Sequence, residues 1–318
     1  MSKIKCFKGT SLQNEFESKI SQGTEESQSI KEVITEQANK IIDKVNRLRA
    51  ELELPLLDKL KINKENLYQT NTIKDDLSGG VLKVQEIAQE YKEYKKIQSV
   101  NHPKVTSLFK NVSTLISKEY ESAEKYSNSI EVKKSYDAMI AETISQYNYI
   151  TSKGLKVEKF IGKGEPYKNS KDMLSDLSNN STLKFLPSEE AFGSNVTKSE
   201  DNIGLQPSGI KLSDGYEMTN SEVFRVVHDY FGHGILGNQF GAIGEENATL
   251  QHLDLYSDIA APAVIFQTRG QNSWVNFSGK NIKASELRIE AKELKKQGKE
   301  KEAEIKLGEA DKLFCPLV

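Results

Sequence analysis

Three of the four histidines in this chain, His228, His233 and His252, fall within 25 residues, and Glu245 and Glu246 lie between the last two. Neutral imidazoles and an ionised carboxylate are both available near pH 7, and together they form the donor set of mononuclear metal sites that keep open positions. We therefore read His228, His233, Glu245 and His252 as ligands of one divalent ion, Fe(II) in preference to Zn. Glu246 and Asp229 are rival ligands or proton-transfer groups, because a one-residue shift in helix start exchanges Glu245 with Glu246 and Asp229 directly follows His228. The competing reading is a hydrogen-bonded polar cluster in the core. Three imidazoles beside an acidic pair in a Gly-rich setting favour the metal. His102, alone in Asn101-His102-Pro103, reads as a surface residue in a turn.

The elements that must position these side chains can be read locally. Thr219-Asn220-Ser221-Glu222 is a capping box that starts a helix, and Val223, Phe224, Val227, Phe231 and Ile235 give it a buried face. His228 points into the core with them. His233, five residues on, lies about 140° around an ideal helix, but Gly232 and Gly234 flank it, so the helix can distort there and let the two rings converge. Gly237, Gly241 and Gly244 make a tight connection to a second helix, from Glu245 to about Ile259, on which Glu245, Thr249, His252 and Tyr256 share a face.

A second polar block, Arg269-Gly270-Gln271-Asn272-Ser273-Trp274-Val275-Asn276-Phe277, follows an apolar stretch from Ile259 to Phe266 and holds the only tryptophan. Arg269, Gln271, Asn272 and Trp274 suit recognition of a polar or carboxylated ligand, or a buried network closing over the metal; Arg269 joins Asp229 and Glu246 as a candidate catalytic residue. Glu165-Pro166-Tyr167 reads as a turn.

The remainder of the 318 residues divides by composition. Only Gly9, Gly23, Gly79 and Gly80 of the 20 glycines precede Gly154. The first half accordingly reads as helices: one carrying Ile34, Ala38, Ile41, Val45, Leu48 and Leu52 and ended by Pro55; one from about Gly80 to Gln98; one after Pro103 with Val105, Leu108, Val112 and Leu115; and one from about Val132 to Ile150. Residues 1–25 read as a flexible N-terminus, 26–130 as a helical bundle or oligomerisation segment, 131–280 as the metal-binding domain and 281–318 as a charged helix, with short strands at Lys156–Ile161 and Leu183–Leu186. The expected class is mainly α with little β.

The net charge is −2 with both signs interspersed, so no field is built for nucleic acid or anionic lipid. No apolar run approaches the roughly 20 residues of a membrane span. The two cysteines, Cys6 and Cys315, make no disulfide framework and no thiolate metal site, and suit a reducing compartment. The expectation is a soluble cytoplasmic protein with a small polar substrate and N-terminal helices available for self-association.

The blocks His228-Asp229-Tyr230-Phe231-Gly232-His233, Phe240-Gly241, Gly244-Glu245-Glu246-Asn247-Ala248, His252 and Arg269 to Phe277 resemble an uncharacterised domain found in phage proteins and in large polyvalent proteins of mobile elements. The likeness extends upstream to Tyr136–Tyr147, Glu165-Pro166-Tyr167 and Phe192-Gly193. It implies host cytoplasm or a virion as the setting and virion components as partners, and it implies no reaction. Separately, His228-x4-His233 with Gly232 before the second histidine is similar to the iron-binding pair of aromatic amino-acid hydroxylases. That likeness implies His228 and His233 as iron ligands, although Glu245 follows His233 much sooner than the glutamate of those enzymes. Three functions follow as expectations: a mononuclear non-haem iron enzyme; a zinc hydrolase in which Glu246 or Asp229 takes the proton of metal-bound water; and a non-enzymatic phage protein stapled by a structural metal.

Overall fold

The structure is a computed structural model that describes residues 79–98, 104–123, 129–162, 164–188 and 202–311, with isolated positions outside these ranges. The stripe from Ile34 to Leu52, Pro55 and the N-terminal 25 residues thus lie outside the described residues, apart from single helical positions at Asp43, Asn46 and Ala50. The chain forms two compact units, residues 1–68 with 109–112, and residues 69–108 with 113–318. The site belongs wholly to the second.

Helix dominates the described residues, and the fold is mainly α. The helices are α1 (Leu82–Lys95), α2 (Lys110–Glu121), α3 (Ile130–Ser152), α4 (Ser170–Asn180), α5 (Asn220–Val227), α6 (Ala242–Leu253), α7 (Ala261–Ile265), α8 (Gln271–Phe277), α9 (Gly279–Lys296) and α10 (Glu300–Asp311). Strands β1 (Lys156–Lys159) and β2 (Thr182–Phe185) pair in parallel across α4, in register Lys156 to Thr182. Strands β3 (Pro207–Lys211) and β4 (Glu217–Thr219) form an antiparallel ribbon that leads into α5.

The core explains the order. Val84, Ile87 and Tyr91 of α1, Tyr147 and Ile150 of α3, Leu183 and Phe185 of β2, and Val223, Val226 and Val227 of α5 pack into one buried cluster. Their spacing on α1 and α5 is the helical stripe expected of amphipathic packing. A second cluster joins Tyr136 and Met139 of α3 to Tyr256, Ala260, Ala263 and Val264. Helix α3 therefore runs behind the histidines, contributing to both clusters.

Two expectations change, and the compact unit that holds the histidines reaches upstream of residue 131: α1 belongs to it, with Val81 N–H donating to Gly234 O at 2.9 Å. A Cβ on Gly80 would come within 2.1 Å of Ile235 O, so only glycine allows that approach. The helix expected straight after Pro103 begins at Lys110, because Val105 instead pairs both its backbone groups with the Asn247 side chain. The single C-terminal helix is two, α9 and α10, broken at Gly298, whose φ of +74° is left-handed.

Candidate metal centre

The capping box forms as the sequence requires. Glu222 N–H donates to Thr219 Oγ1 at 3.3 Å and Thr219 N–H to Glu222 Oε2 at 2.9 Å. The other Glu222 oxygen accepts from Ser188 N–H at 2.6 Å and the Tyr216 hydroxyl at 2.9 Å, so this buried carboxylate also ties the ribbon and the end of β2 to the start of α5.

After Val227 the helix widens into one π-helical turn, His228–His233. Its i→i+5 closure brings residues five apart onto the same face, which an α-helix cannot do. The His228 and His233 ring centroids lie 5.2 Å apart, nearly perpendicular. Asn238 stabilises the end of the turn by donating from Nδ2 to Gly232 O at 2.7 Å.

Gly241, with φ of +100°, turns the chain into α6 and places Glu245 in that helix's first turn. Glu245 Oε2 lies 3.4 Å from His228 Nε2 and 3.4 Å from His233 Nε2. The three donor atoms all lie within 4.8 Å of one another, so the group could hold a metal ion. The spacing suits one: metal–ligand bonds of about 2.0–2.2 Å put neighbouring donors roughly 3.0–3.5 Å apart.

The hydrogen bonds behind the rings decide which nitrogen faces the site. His233 Nδ1 donates to Asn238 O at 2.9 Å, which leaves Nε2 for Glu245. For His228 the argument runs through two further residues. Gln146 Nε2 donates to Leu255 O at 3.3 Å, so its Oε1 is the atom 3.2 Å from His252 Nε2. Only a protonated His252 Nε2 satisfies that contact. Burial, reinforced by the neighbouring His228 and His233, holds the His252 pKa well below its usual value and keeps the ring neutral. Its Nδ1 must then accept, and His228 Nδ1, 3.2 Å away, donates. His228 is left with its Nε2 lone pair aimed at the site.

Electrostatics agree. Burial alone would raise the Glu245 carboxyl pKa, but His233 and His228 hold it well below the carboxylate range. Burial opposes charge on His233, yet Glu245, with help from Asp229, raises it to about 9. Glu245 is thus held ionised between the two imidazoles, the form in which a carboxylate binds a cation.

The structure distributes the remaining expected residues differently. His252 is not among the converging donors; fully buried, it backs His228 while its ring packs on Tyr256. Tyr256 lies beyond the end of α6, which stops at Leu253, and its hydroxyl bonds Thr143 Oγ1 at 2.7 Å. Glu246 is not among the converging donors; it pairs with Arg269 Nε at 2.7 Å, and neither residue lines the cavity beside His228. Trp274 is buried and donates to Glu121 Oε1 at 3.0 Å, which anchors α8. Asn272 donates to Ala242 O at 2.9 Å, which pins α8 to the start of α6, and it lines the cavity beside His228 as expected. His102 is no free surface residue: its Nε2 lies 2.8 Å from Asp254 Oδ1. Tyr167 is more than a turn residue, since its hydroxyl accepts from Lys184 N–H and donates to Asp176, both at 2.9 Å.

Asp229 stays with the site. It lines, with His228 and Glu245, a cavity of about 700 Å³ that also reaches Arg225, Gln271 and Lys168. Burial raises its pKa, although the two site histidines pull it down. Sequence reasoning missed Gln146, Asn238 and Arg225. Gln146 leaves one faint signal, an amide set into the apolar stripe of α3.

No protein-family model, no curated protein and no solved structure matches the chain.

Proposed function

We propose that this protein is a mononuclear non-haem iron enzyme whose metal is held by His228, His233 and Glu245. One observation carries the reading: two Nε2 atoms and one carboxylate oxygen meet at the wall of a cavity large enough for a small molecule, with His228, Asp229 and Glu245 lining it. A structural site is closed by four protein ligands, whereas three ligands beside open space leave positions for reactants. Iron bound there would supply open positions at which dioxygen and substrate meet. The chain's own part is to hold both imidazoles in one tautomer, through Asn238 O on one side and His252 with Gln146 on the other.

A zinc hydrolase is the second reading, favoured by Asp229. Its half-buried carboxyl lines the cavity one residue from His228 and makes no hydrogen bond among the described residues. Its raised pKa suits a group that takes a proton from water. The phage setting, with virion components as partners, accompanies either reading as a proposal resting on the sequence blocks alone. No described helix is long and apolar enough to cross a membrane.

Anaerobic protein loaded with Fe(II) and exposed to nitric oxide tests the iron reading. A high-spin iron–nitrosyl electron-spin signal, lost in His233→Ala, is expected. Stoichiometric Zn binding with no iron–nitrosyl signal would transfer the assignment to the hydrolase.

A further inference from the structure

Six charged side chains line the cavity beside His228: Glu165, Asp229 and Glu245 against Lys168, Lys184 and Arg225. Their signs cancel. Lys184 Nζ leans 3.3 Å from Asp176, outside the cavity wall, so its charge is largely neutralised there. A divalent ion at the triad more than offsets this loss, and the loaded cavity carries a net positive charge. In a low-dielectric cleft an excess charge acts on whatever enters.

The basic groups are placed to use it. Arg225 stands three residues before His228 on α5, and residues three apart share a helix face. Its Nη1 donates to Leu186 O at 3.0 Å, which fixes the guanidinium against the end of β2 while Arg225 still lines the cavity. Lys168 comes from the loop before α4 and makes no hydrogen bond or ion pair among the described residues. The half-buried Gln271 side chain also lines the cavity and makes no hydrogen bond among the described residues either. A guanidinium fork, an ammonium and an amide around one opening form a receptor for a planar or tetrahedral oxyanion joined to a polar body.

We infer that the substrate of this site is a small polar molecule bearing a carboxylate or phosphate, held by Arg225 and Lys168 beside the metal and read by Gln271. The inference rests on the metal reading above and gives it a substrate class.

Full-length protein loaded with Co(II) tests it, with inorganic phosphate and malonate titrated separately by calorimetry and Co(II) uptake measured first. One anion per chain is expected to bind. Arg225→Gln and Lys168→Gln should each weaken it about tenfold, the loss of one charge-assisted contact. Arg225→Lys, which keeps the charge but loses the fork, should weaken binding less than Arg225→Gln does, and none of the three should change Co(II) uptake. The stronger of the two anions identifies the group as phosphate or carboxylate. Co(II) uptake with neither anion bound, or with binding indifferent to both charge-removing variants, would overturn the inference and leave the metal centre standing. Failure to take up Co(II) would overturn the metal reading and this inference with it.

Discussion

His228 and His233 present their Nε2 atoms to one oxygen, Glu245 Oε2, at 3.4 Å each, although five residues separate them along the chain. The π-helical turn makes this possible, and Gly232 inside it and Gly234 just after it leave it the room it needs. A Cβ on Gly232 would lie 3.0 Å from Ala248 O and 3.2 Å from the His228 ring. Gly232→Ala is therefore expected to push α6 and His228 apart. Metal affinity should fall at least tenfold while stability falls by only about 1 kcal/mol, as for mild overpacking. Gly234→Ala is more severe, because its Cβ would meet Tyr230 O at 2.1 Å. Denaturant titration and metal binding on the same samples separate the two effects.

The chain Gln146–His252–His228 makes a second expectation. Gln146→Leu leaves the His252 Nε2 proton unpaired in a fully buried site and releases the constraint on the His228 tautomer. Changes to the partners behind a metal-bound histidine weaken binding by about 10–100-fold. The same loss is expected for His252→Ala, and the double variant should lose little more than either single one. Additive losses would show that the two residues act separately.

Glu246 and Arg269 give the opposite pattern. Both side chains are mostly buried and 2.7 Å apart, so removing one strands the other's charge. Glu246→Ala should cost about 3–5 kcal/mol of stability, read from urea unfolding, with metal stoichiometry unchanged. A folded Glu246→Ala protein that loses its metal would return Glu246 to the ligand set.

Glu121 carries a pH dependence away from the site. Burial raises its carboxyl pKa, but the bonds from Ser278, Lys280 and Trp274 outweigh it and lower the pKa below the ordinary value. A carboxyl whose folded pKa is depressed adds stability that is present above its unfolded pKa and lost as pH falls through the folded one. Glu121→Gln should therefore cost about 1–2 kcal/mol at pH 7. The gap between the two proteins should narrow as the medium is acidified below the ordinary glutamate range, and melting curves across that range measure it.

The sequence carried the histidine pair, the capping box, the mainly helical class and the two short strands, because each is written in adjacent residues. Glu246 remained a rival to Glu245 as the ligand until the helix start was known. Gly241's left-handed φ sets that start at Ala242 and turns Glu245 to the site and Glu246 to Arg269. Arg269 and Trp274 looked like ligand-recognition residues because their types suit it. In the structure Arg269, just before α8, pairs with Glu246, and Trp274 anchors α8 to Glu121. Gln146 lies 106 positions from His252, and no local pattern could join them. Its role follows only from the tertiary placement of α3, which brings Gln146 Oε1 within 3.2 Å of His252 Nε2.

The most direct test is the metal content of untagged full-length protein by elemental analysis, alongside His228→Ala, His233→Ala, Glu245→Ala and Glu246→Ala. One divalent ion per chain is expected in the native protein and in Glu246→Ala, with most of it lost in each of the other three. A native protein without metal, or full occupancy in His228→Ala and His233→Ala, would contradict the central claim that these side chains form a metal centre.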